Sequence, residues 1–223
     1  MIKEIIQIIS SMSVKNGFSE YQIFTDWIQC TALAIQNTSC MFKDELHFDE
    51  DGLWRKREKD YLDIYDKYKD NRFPELTGLL VIELGENISD VLGHVYMASG
   101  MGSKSAGQFF TPFHLSYLTA ATAFNPASYK GEIITMNEPS IGGGGMVLAT
   151  AKVLQDHGYN YQTKLRVIGQ DLDWKGVYMS YVQLSLLGID AIIAQGDTLS
   201  EPYNKNFPKE RVFRTPKNMG VLI

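Results

Sequence analysis

The feature that most constrains the fold is an alternation of short apolar segments and longer helical segments in the second half of the chain. The three apolar segments are residues 133–136, 165–168 and 191–194, and apolar side chains recur at helical spacing in residues 146–157 and 174–187 between them. This strand–helix–strand–helix–strand pattern predicts a parallel, doubly wound α/β sheet. Because ligands of such sheets bind beyond the carboxyl ends of the strands, the residues after each apolar segment are the candidate site.

The first strand ends in an acid followed by a run of glycines. Glu138 and Pro139 precede the four consecutive glycines 142–145, and glycine lets a backbone approach a ligand closely. A phosphate-binding loop would have Lys and then Ser or Thr after the glycines, whereas Met146 and Val147 stand here. A dinucleotide fingerprint also fits poorly, since an acid and a proline come before the first glycine. An adenosyl ligand with a cationic amino group and a sulfonium fits better, because Glu138 offsets positive charge. The alternative is a tight turn without a ligand.

Acids also follow the second and third strands. Asp171 is placed to accept hydrogen bonds from the two hydroxyls of a ribose. Asp173 is an alternative for that role, although it also suits the N-cap of the helix that begins near Trp174. Asp197 is placed to accept a hydrogen bond from an adenine amine, and its alternative is a turn or cap residue. Acids at three successive strand ends, with a glycine loop after the first, predict a nucleotide-type methyl-donor site.

The first half of the chain is predicted to be helical. Apolar side chains recur at helical spacing in residues 1–12, 19–35 and 54–69, and Ser19 is a candidate N-cap. These patterns divide the chain into a helical N-terminal region, residues 1–87, and a cofactor-binding domain, residues 88–223. In the second of these, leading helices occupy residues 88–130 and the α/β core occupies residues 131–223. Residues 79–84 could add a strand, and a fourth core strand is expected at residues 211–213 or 220–223.

Charge and composition bear on the partners. The basic stretch with Arg55, Lys56, Arg57 and Lys59 could contact nucleic acid, but interleaved acids favour a solvated helix face. The net charge of -5 argues against DNA binding by the chain alone, because most non-specific affinity for DNA comes from basic side chains that neutralise its phosphates.

Membrane, metal and disulfide classes are disfavoured. No apolar run approaches the roughly 20 residues that span a bilayer, and residues 1–10 lack the features of a signal peptide. Cys30 and Cys40 lack a metal-ligand spacing, and the four histidines lie far apart, so no metal is expected. Two unbridged cysteines indicate a cytoplasmic protein.

Five strings of residues, in order, resemble a known family. They are Asp-Val-Leu-Gly-His-Val-Tyr (90–96), Gly-Gln-Phe-Phe-Thr-Pro (107–112), Glu-Pro-Ser-Ile and four glycines (138–145), Gly-Gln-Asp (169–171) and Gly-Asp-Thr-Leu (196–199). The series resembles the N-6 adenine-specific DNA methylases, and in particular the methylation subunit of type I restriction-modification systems. The resemblance covers about half the chain, and the Gly-Gln-Phe-Phe-Thr-Pro string is its most specific part.

The resemblance implies a Rossmann-like S-adenosylmethionine-dependent methyltransferase core and S-adenosylmethionine as its cofactor. The family usually has Asp-Pro-Ala-Cys where this chain has Glu-Pro-Ser-Ile, a change that keeps the acid. The implied cofactor residues are Phe110, Thr111 and Pro112 at the methionine end, Glu138, Pro139, Gly142 and Gly144 in the cofactor loop, Asp171 at the ribose and Asp197 at the adenine amine.

One family motif is absent. Adenine-N6 methylases carry Asn or Asp, two prolines and Phe or Tyr after the fourth strand, which hold the target amine and stack on the flipped base. The sequence contains no such string, and Arg-Thr-Pro-Lys (214–217) supplies neither the amide nor the ring. The core is therefore expected to be truncated. Three functions remain open. The first is a methylation subunit or divergent methylase that needs a protein partner or a second copy and reaches DNA through the partner. The second is a catalytically inactive regulatory or assembly factor, and the third is a methylase of small molecules or proteins.

Overall fold

The computed structural model describes residues 1–101 and 110–221, in which helices precede and flank a four-stranded sheet. The strands are β1 (Ile134–Glu138), β2 (Leu165–Asp171), β3 (Asp190–Gln195) and β4 (Val212–Arg214). The helices are α1 (Ile2–Asn16), α2 (Glu20–Lys43), α3 (Leu53–Tyr65), α4 (Phe73–Glu86), α5 (Val91–Ala98), α6 (Phe113–Ala123), α7 (Gly145–Asp156), α8 (Tyr161–Lys164), α9 (Trp174–Leu186) and α10 (Pro216–Met219).

The sheet brings the carboxyl ends of three strands together. β1, β2 and β3 are parallel, with Glu138 opposite Gly169 and Asp171 opposite Gln195. β4 returns antiparallel along β3. The strand order β1-β2-β3-β4 follows the chain, so the described sheet lacks the reversal of strand order that a doubly wound sheet has. The loops after β1, β2 and β3 nevertheless lie at one edge, as the parallel pattern predicts.

The two faces of the sheet differ in cover. α7 packs against β1, and α9 packs against β2 and β3, over buried side chains such as Val167 and Ile193. Side chains that alternate with these point the other way and are exposed in Thr135, Asn137 and Arg166. Ile168, on the same face, is 39% exposed. Within the described residues, this second face therefore lacks a covering layer.

The N-terminal helices and the sheet share one hydrophobic core. α2 packs against α9, and a single cluster of buried side chains runs from Ile5 through Trp27 to Phe213. Cys30 and Cys40 both lie on α2 and are free thiols. Among the described residues no helix is long and apolar enough to cross a membrane. The division of the chain at residue 88 stays a prediction.

The predicted helices and core strands are confirmed, with two local differences. The strand considered at residues 79–84 is wrong, because Leu76, Leu80 and Leu84 bury one face of α4, which has a proline in its first turn. The fourth strand is the one predicted at residues 211–213. Of the alternative at residues 220–223, the first two are not in a strand and the last two lie outside the described residues.

Two side-chain predictions in the helical region have different outcomes. Ser19 caps α2 by accepting a hydrogen bond from the amide of Gln22, as predicted. The solvated face predicted for α3 holds for Arg55, Lys56 and Lys59, which are exposed. It is wrong for Arg57, which is 7% exposed because its guanidinium packs over Phe213.

Thr215 ties β3 to the chain that follows β4, and its removal tests this packing. Its fully buried hydroxyl donates to the carbonyl of Ile189 at 2.7 Å and accepts from the amide of Ala191 at 3.0 Å. Thr215→Val keeps the shape and removes these bonds together with the cap on the amide of Asn218 in α10, so the free energy of unfolding should fall by about 1–3 kcal/mol in urea titration. Thr119→Val is the control, because that exposed hydroxyl bonds only within its own helix. Equal stability of the two variants would contradict the assignment.

Candidate functional site

A cleft of about 1070 Å³ lies at the carboxyl ends of β1, β2 and β3. Its walls are the loops that follow the three strands, the first residue before α5 and the segment that leads into α6. The lining residues are Asp90, Phe110, Thr111, Ser116, Pro139, Ser140, Ile141, Gly142, Gly143, Gly145, Met146, Asp171, Leu172, Asp173, Gly196, Asp197, Thr198 and Leu199. The cleft therefore lies where the sequence pattern places a ligand.

The glycine loop between β1 and α7 depends on glycine at specific positions. Gly142 and Gly144 have φ of +52° and +91°, which side-chain-bearing residues rarely adopt. A Cβ on Gly142 would also lie 3.2 Å from the Phe110 ring, and one on Gly143 would lie 3.2 Å from Oδ1 of Asp90. The backbone of the loop therefore lies directly against its neighbours and is open to the cleft.

A buried glutamine holds this loop in place. Nε2 of Gln183, on α9, donates to the carbonyl of Gly143 at 2.7 Å and to Oδ1 of Asp90 at 2.9 Å. Oε1 of Gln183 accepts from the amide of Leu92 at 3.1 Å. Gln183 is fully buried, so one side chain connects the glycine loop, the start of α5 and α9.

Asp90 is a site residue that the sequence analysis missed. It caps α5, and its Oδ1 accepts from the amide of Gly93 at 2.9 Å as well as from Gln183. Within the described residues no hydrogen bond is made by Oδ2, and the residue lines the cleft. Burial raises the pKa of this carboxyl, against the smaller opposing effect of these hydrogen bonds. The signal in the sequence was an acid immediately before a helix and three residues before a glycine.

Asp171 links the loop after β1 to the loop after β2. Its Oδ2 accepts from the amide of Gly142 at 2.7 Å, and its Oδ1 accepts from the amide of Asp173 at 2.9 Å. Burial raises the pKa of Asp171, although these amides favour the charged form. The carboxylate packs against Gly176, where a Cβ would lie 2.9 Å from its Cγ. Asp171 therefore organises the cleft as well as lining it.

Asp173 caps α9, the role its position suggested, and also lines the cleft. Its Oδ1 accepts from the amide of Lys175 at 2.9 Å, and its Oδ2 lies 3.4 Å from Nζ of Lys175. That buried ammonium also donates to the hydroxyl of Tyr96 at 3.1 Å. Asp173 is half-buried and lines the cleft together with Asp171. The structure therefore leaves both acids as candidates for a ribose contact.

The loop after β3 closes the third side of the cleft. Asp197 is exposed, and its carboxyl has a lowered pKa, because it accepts hydrogen bonds from the amide of Leu199, the largest cause, and from the hydroxyl and the amide of Ser200. The hydroxyl of Thr198 donates to the carbonyl of Pro139 at 2.7 Å. The loops after β1 and β3 are thereby joined across the cleft.

Six of the nine residues implied by the resemblance line the cleft, and three do not. Pro112 lines an adjoining cavity of about 390 Å³. Gly144, within the loop, packs against Ser180 of α9. Glu138 ends β1 half-buried outside the cleft lining, where burial raises its pKa and the amide of Ser140 opposes that shift. Residues 107–109 of the Gly-Gln-Phe-Phe-Thr-Pro string lie outside the described residues.

The charge on the cleft wall is of one sign. Four carboxyl groups line it, those of Asp90, Asp171, Asp173 and Asp197, and the lining contains no Lys, Arg or His in the described part of the chain. Such a wall disfavours a phosphate-rich ligand and favours one that carries positive charge and hydroxyls. Across residues 1–101 and 110–221, no three His, Cys, Asp or Glu side chains come together to hold a metal ion.

Comparison with known proteins shows the family of the chain. Residues 87–217, more than half of the chain, match the family described as N-6 DNA Methylase. The chain is similar to the type I restriction-modification system methyltransferase subunit from Streptococcus thermophilus, with 19% identity, 85% of this chain and 42% of that chain covered, and a TM-score of 0.44. It is also similar to a protein described as a class I S-adenosylmethionine-dependent methyltransferase from Listeria monocytogenes, with 12% identity, 79% and 55% covered, and a TM-score of 0.41. The chain spans about half the length of these two structures.

The matched range contains all three strand-end loops, the start of α5 and the segment before α6, which together build the cleft. The chain belongs to the N-6 DNA methylase family.

Proposed function

We propose that the cleft binds S-adenosylmethionine and that the chain acts as a methylation subunit or divergent adenine-N6 DNA methyltransferase that needs a partner. The observation that carries the proposal is the cleft wall, in which a glycine loop and four acids converge at the carboxyl ends of three parallel strands. S-adenosylmethionine carries an ammonium, a sulfonium, a ribose diol and an adenine amine. Each of these is a group that a carboxylate stabilises or accepts a hydrogen bond from.

Different residues of the cleft would contact different groups of the ligand. Asp90 would hold the cationic amino group, because its Oδ2 is free while Oδ1 is fixed by Gln183. Asp171 or Asp173 would accept from the ribose hydroxyls, and Asp197 from the adenine amine. The glycine loop would allow the ligand to lie against the backbone, with Phe110 and Thr111 beside it. Glu138 would act from the end of β1 through its charge.

When bound, S-adenosylmethionine supplies an activated methyl group. The described residues bind and orient this ligand, and the walls of the cleft exclude water from one side of it. The sequence contains no Asn or Asp followed by two prolines and an aromatic residue to receive a target amine. We assign cofactor binding to the described residues and propose that a partner supplies the surface that binds the target.

The uncovered sheet surface supports a role for a partner. β1 pairs with β2 alone among the described strands, and Ile168 is exposed on the open face. Unpaired strand edges and open apolar faces are surfaces that other chains cover. A second copy of the chain or another protein would fill this role, and DNA would be reached through it.

The alternative is a catalytically inactive methylase-like protein that acts as a regulatory or assembly factor. The acidic cleft would serve this function equally, because binding of the ligand does not require a target site. The two proposals predict different results for methyl transfer from radiolabelled S-adenosylmethionine to unmodified DNA. The transfer is measured with the chain alone and with any protein that copurifies with it. Transfer that requires the copurifying protein supports the first. Binding of S-adenosylmethionine without transfer in either case supports the second.

Asp90→Asn tests the cofactor site at a single atom. Asparagine keeps the Oδ1 that accepts from Gly93 and Gln183 and replaces only the free oxygen. The affinity for S-adenosylmethionine in calorimetry should fall about ten-fold or more, as for the loss of a charge-assisted hydrogen bond. Asp63→Asn is the matched control, because Asp63 is exposed on α3 outside the cleft.

Stability separates this effect from misfolding. A buried acid with a raised pKa costs stability as the pH rises through that pKa, so removing its charge should leave the protein at least as stable at neutral pH. Unchanged affinity in Asp90→Asn would overturn the role of Asp90. No binding of S-adenosylmethionine by the wild-type protein would overturn the proposed function.

The affinity for S-adenosylmethionine should depend on pH through the two buried acids. Burial raises the pKa of both Asp90 and Asp171 above the ordinary value of 3.8. As the pH falls, these carboxylates take up protons before exposed ones do, and the attraction for a cationic ligand is lost. Calorimetry from about pH 7 to about pH 5, where the amino group of the ligand stays charged, should show weakening affinity as the pH falls. The same series with Asp90→Asn should be flatter, and a wild-type affinity that is constant over this range would contradict the prediction.

The open sheet face should mediate association. Ile168→Lys places a charge on that face, whereas Leu62→Lys, at a 46% exposed position on α3, changes an unrelated surface. Light scattering and recovery of partners from cells should show association reduced in Ile168→Lys alone, with binding of S-adenosylmethionine retained in both. A wild-type protein that stays monomeric at high concentration and recovers no partner would contradict the prediction.

A further inference from the structure

A second cavity, of about 410 Å³, lies on the β4 side of the molecule. It is bounded by the C-terminal end of α2, the start of α3, residues 203–209, β4 and α10. It shares no lining residue with the acidic cleft. Its lining residues are Gln36, Cys40, Lys43, Asp44, Phe48, Leu53, Arg57, Tyr203, Asn204, Lys205, Phe207, Lys209, Val212, Arg214 and Met219.

The cavity is basic although the chain is acidic. Five cations line it, Lys43, Arg57, Lys205, Lys209 and Arg214, against the single carboxylate of Asp44, while the whole chain carries a net charge of -5. Lys209 pairs with Asp51 at 3.3 Å. Within the described residues the other four cations form no salt bridge. A concentration of uncompensated positive charge in a concave surface indicates an anion as ligand.

Arg57 is the strongest single indication. It is 7% exposed, and its Nη2 donates to the carbonyl of Val212 at 3.0 Å. Its Cζ lies 4.9 Å from the centroid of the Phe213 ring. In the part of the chain that the structure describes, no carboxylate forms a salt bridge with this guanidinium, and its Nε and Nη1 have no hydrogen-bond acceptor. A buried guanidinium without an anion is costly, and a bound phosphate would offset that cost by accepting from these N–H groups.

Aromatic rings stand among these cations. Phe48, Tyr203 and Phe207 all line the cavity. The hydroxyl of Tyr203 lies 3.3 Å from Nη2 of Arg214, so an aromatic ring and a guanidinium are held next to each other. The combination of unpaired cations with aromatic walls recurs where proteins bind the phosphate and the base of a nucleotide.

We propose that this cavity binds a nucleoside phosphate, with Arg57 and Arg214 at the phosphate and the base against the aromatic wall. A free mononucleotide and one unit of a single-stranded nucleic acid present the same chemistry. The cavity volume suits one nucleotide unit, since ligand pockets range from roughly 300 to 1,000 Å³. The proposal is independent of S-adenosylmethionine binding, because the two sites have different walls and opposite charge.

The experiment compares two double variants of equal charge change. Lys205→Gln with Arg214→Gln removes two exposed cations of the cavity, and Lys56→Gln with Lys59→Gln removes two exposed lysines of α3 outside it. The probes are adenosine monophosphate, a short oligodeoxythymidine and inorganic phosphate, titrated at low salt by calorimetry. The cavity variant should bind the nucleotide probes about ten-fold more weakly and show a smaller salt dependence, while the α3 variant should match the wild type.

Each outcome decides a point. Binding of the mononucleotide that is lost in the cavity variant supports a free nucleotide as ligand, and binding of the oligonucleotide alone supports a nucleic-acid strand. Equal affinity of inorganic phosphate and both nucleotide probes overturns the role of the aromatic wall. No binding of any probe, or the same weakening in both variants, overturns the proposal. Binding of S-adenosylmethionine should be unchanged in the cavity variant, which separates this test from that of the proposed function.

Discussion

The hydrogen bonds of one buried side chain, Gln183, hold the cleft together. Its amide nitrogen bonds to the glycine loop and to Asp90, and its amide oxygen accepts from the first turn of α5. A fully buried amide has few alternative partners, so this arrangement is strongly specified. Without it, the glycine loop, whose residues lack the Cβ that restricts other backbones, would lose its position against α5. α5 and α9 therefore contribute to the geometry of a cleft that the strands build.

The acids of the cleft have two functions, and burial explains why both are possible. Asp171 accepts hydrogen bonds from backbone amides of two loops. Asp90 accepts one hydrogen bond from a backbone amide and one from the side chain of Gln183. These bonds stabilise the loops, yet burial still raises the pKa of both carboxyls. Charge that is incompletely compensated in the free protein is available to a cationic ligand. The proposed binding of S-adenosylmethionine follows from this surplus of negative charge and from the glycine loop beside it.

A single segment connects the acidic cleft with the basic cavity. Residues 197–199 line the cleft, and residues 203–209 line the cavity. Buried Gln170 fixes the segment between them, donating to the carbonyl of Glu201 and accepting from the amide of Tyr203. Arg211 adds a contact with the carboxylate of Glu201. The two surfaces of opposite charge are thus held in a fixed relation by one short piece of chain.

The sequence by itself determined the parallel strands, the loops after them and the family, because these features are local in the chain. Period-two and helical patterns, strand-end acids and glycine runs are readable without a fold, and the helix caps at Ser19 and Asp173 were predicted on the same ground. Only the tertiary structure decided which side chains meet. Asp90 and Gln183 are 93 residues apart in sequence, and Arg57 is buried by Phe213 from the far end of the chain. Tertiary structure also decided the place of Glu138. Its position at a strand end suggested that it lines the cleft, but the structure leaves it outside the lining. Burial and long-range pairing depend on how the elements pack, and no local pattern carries that information.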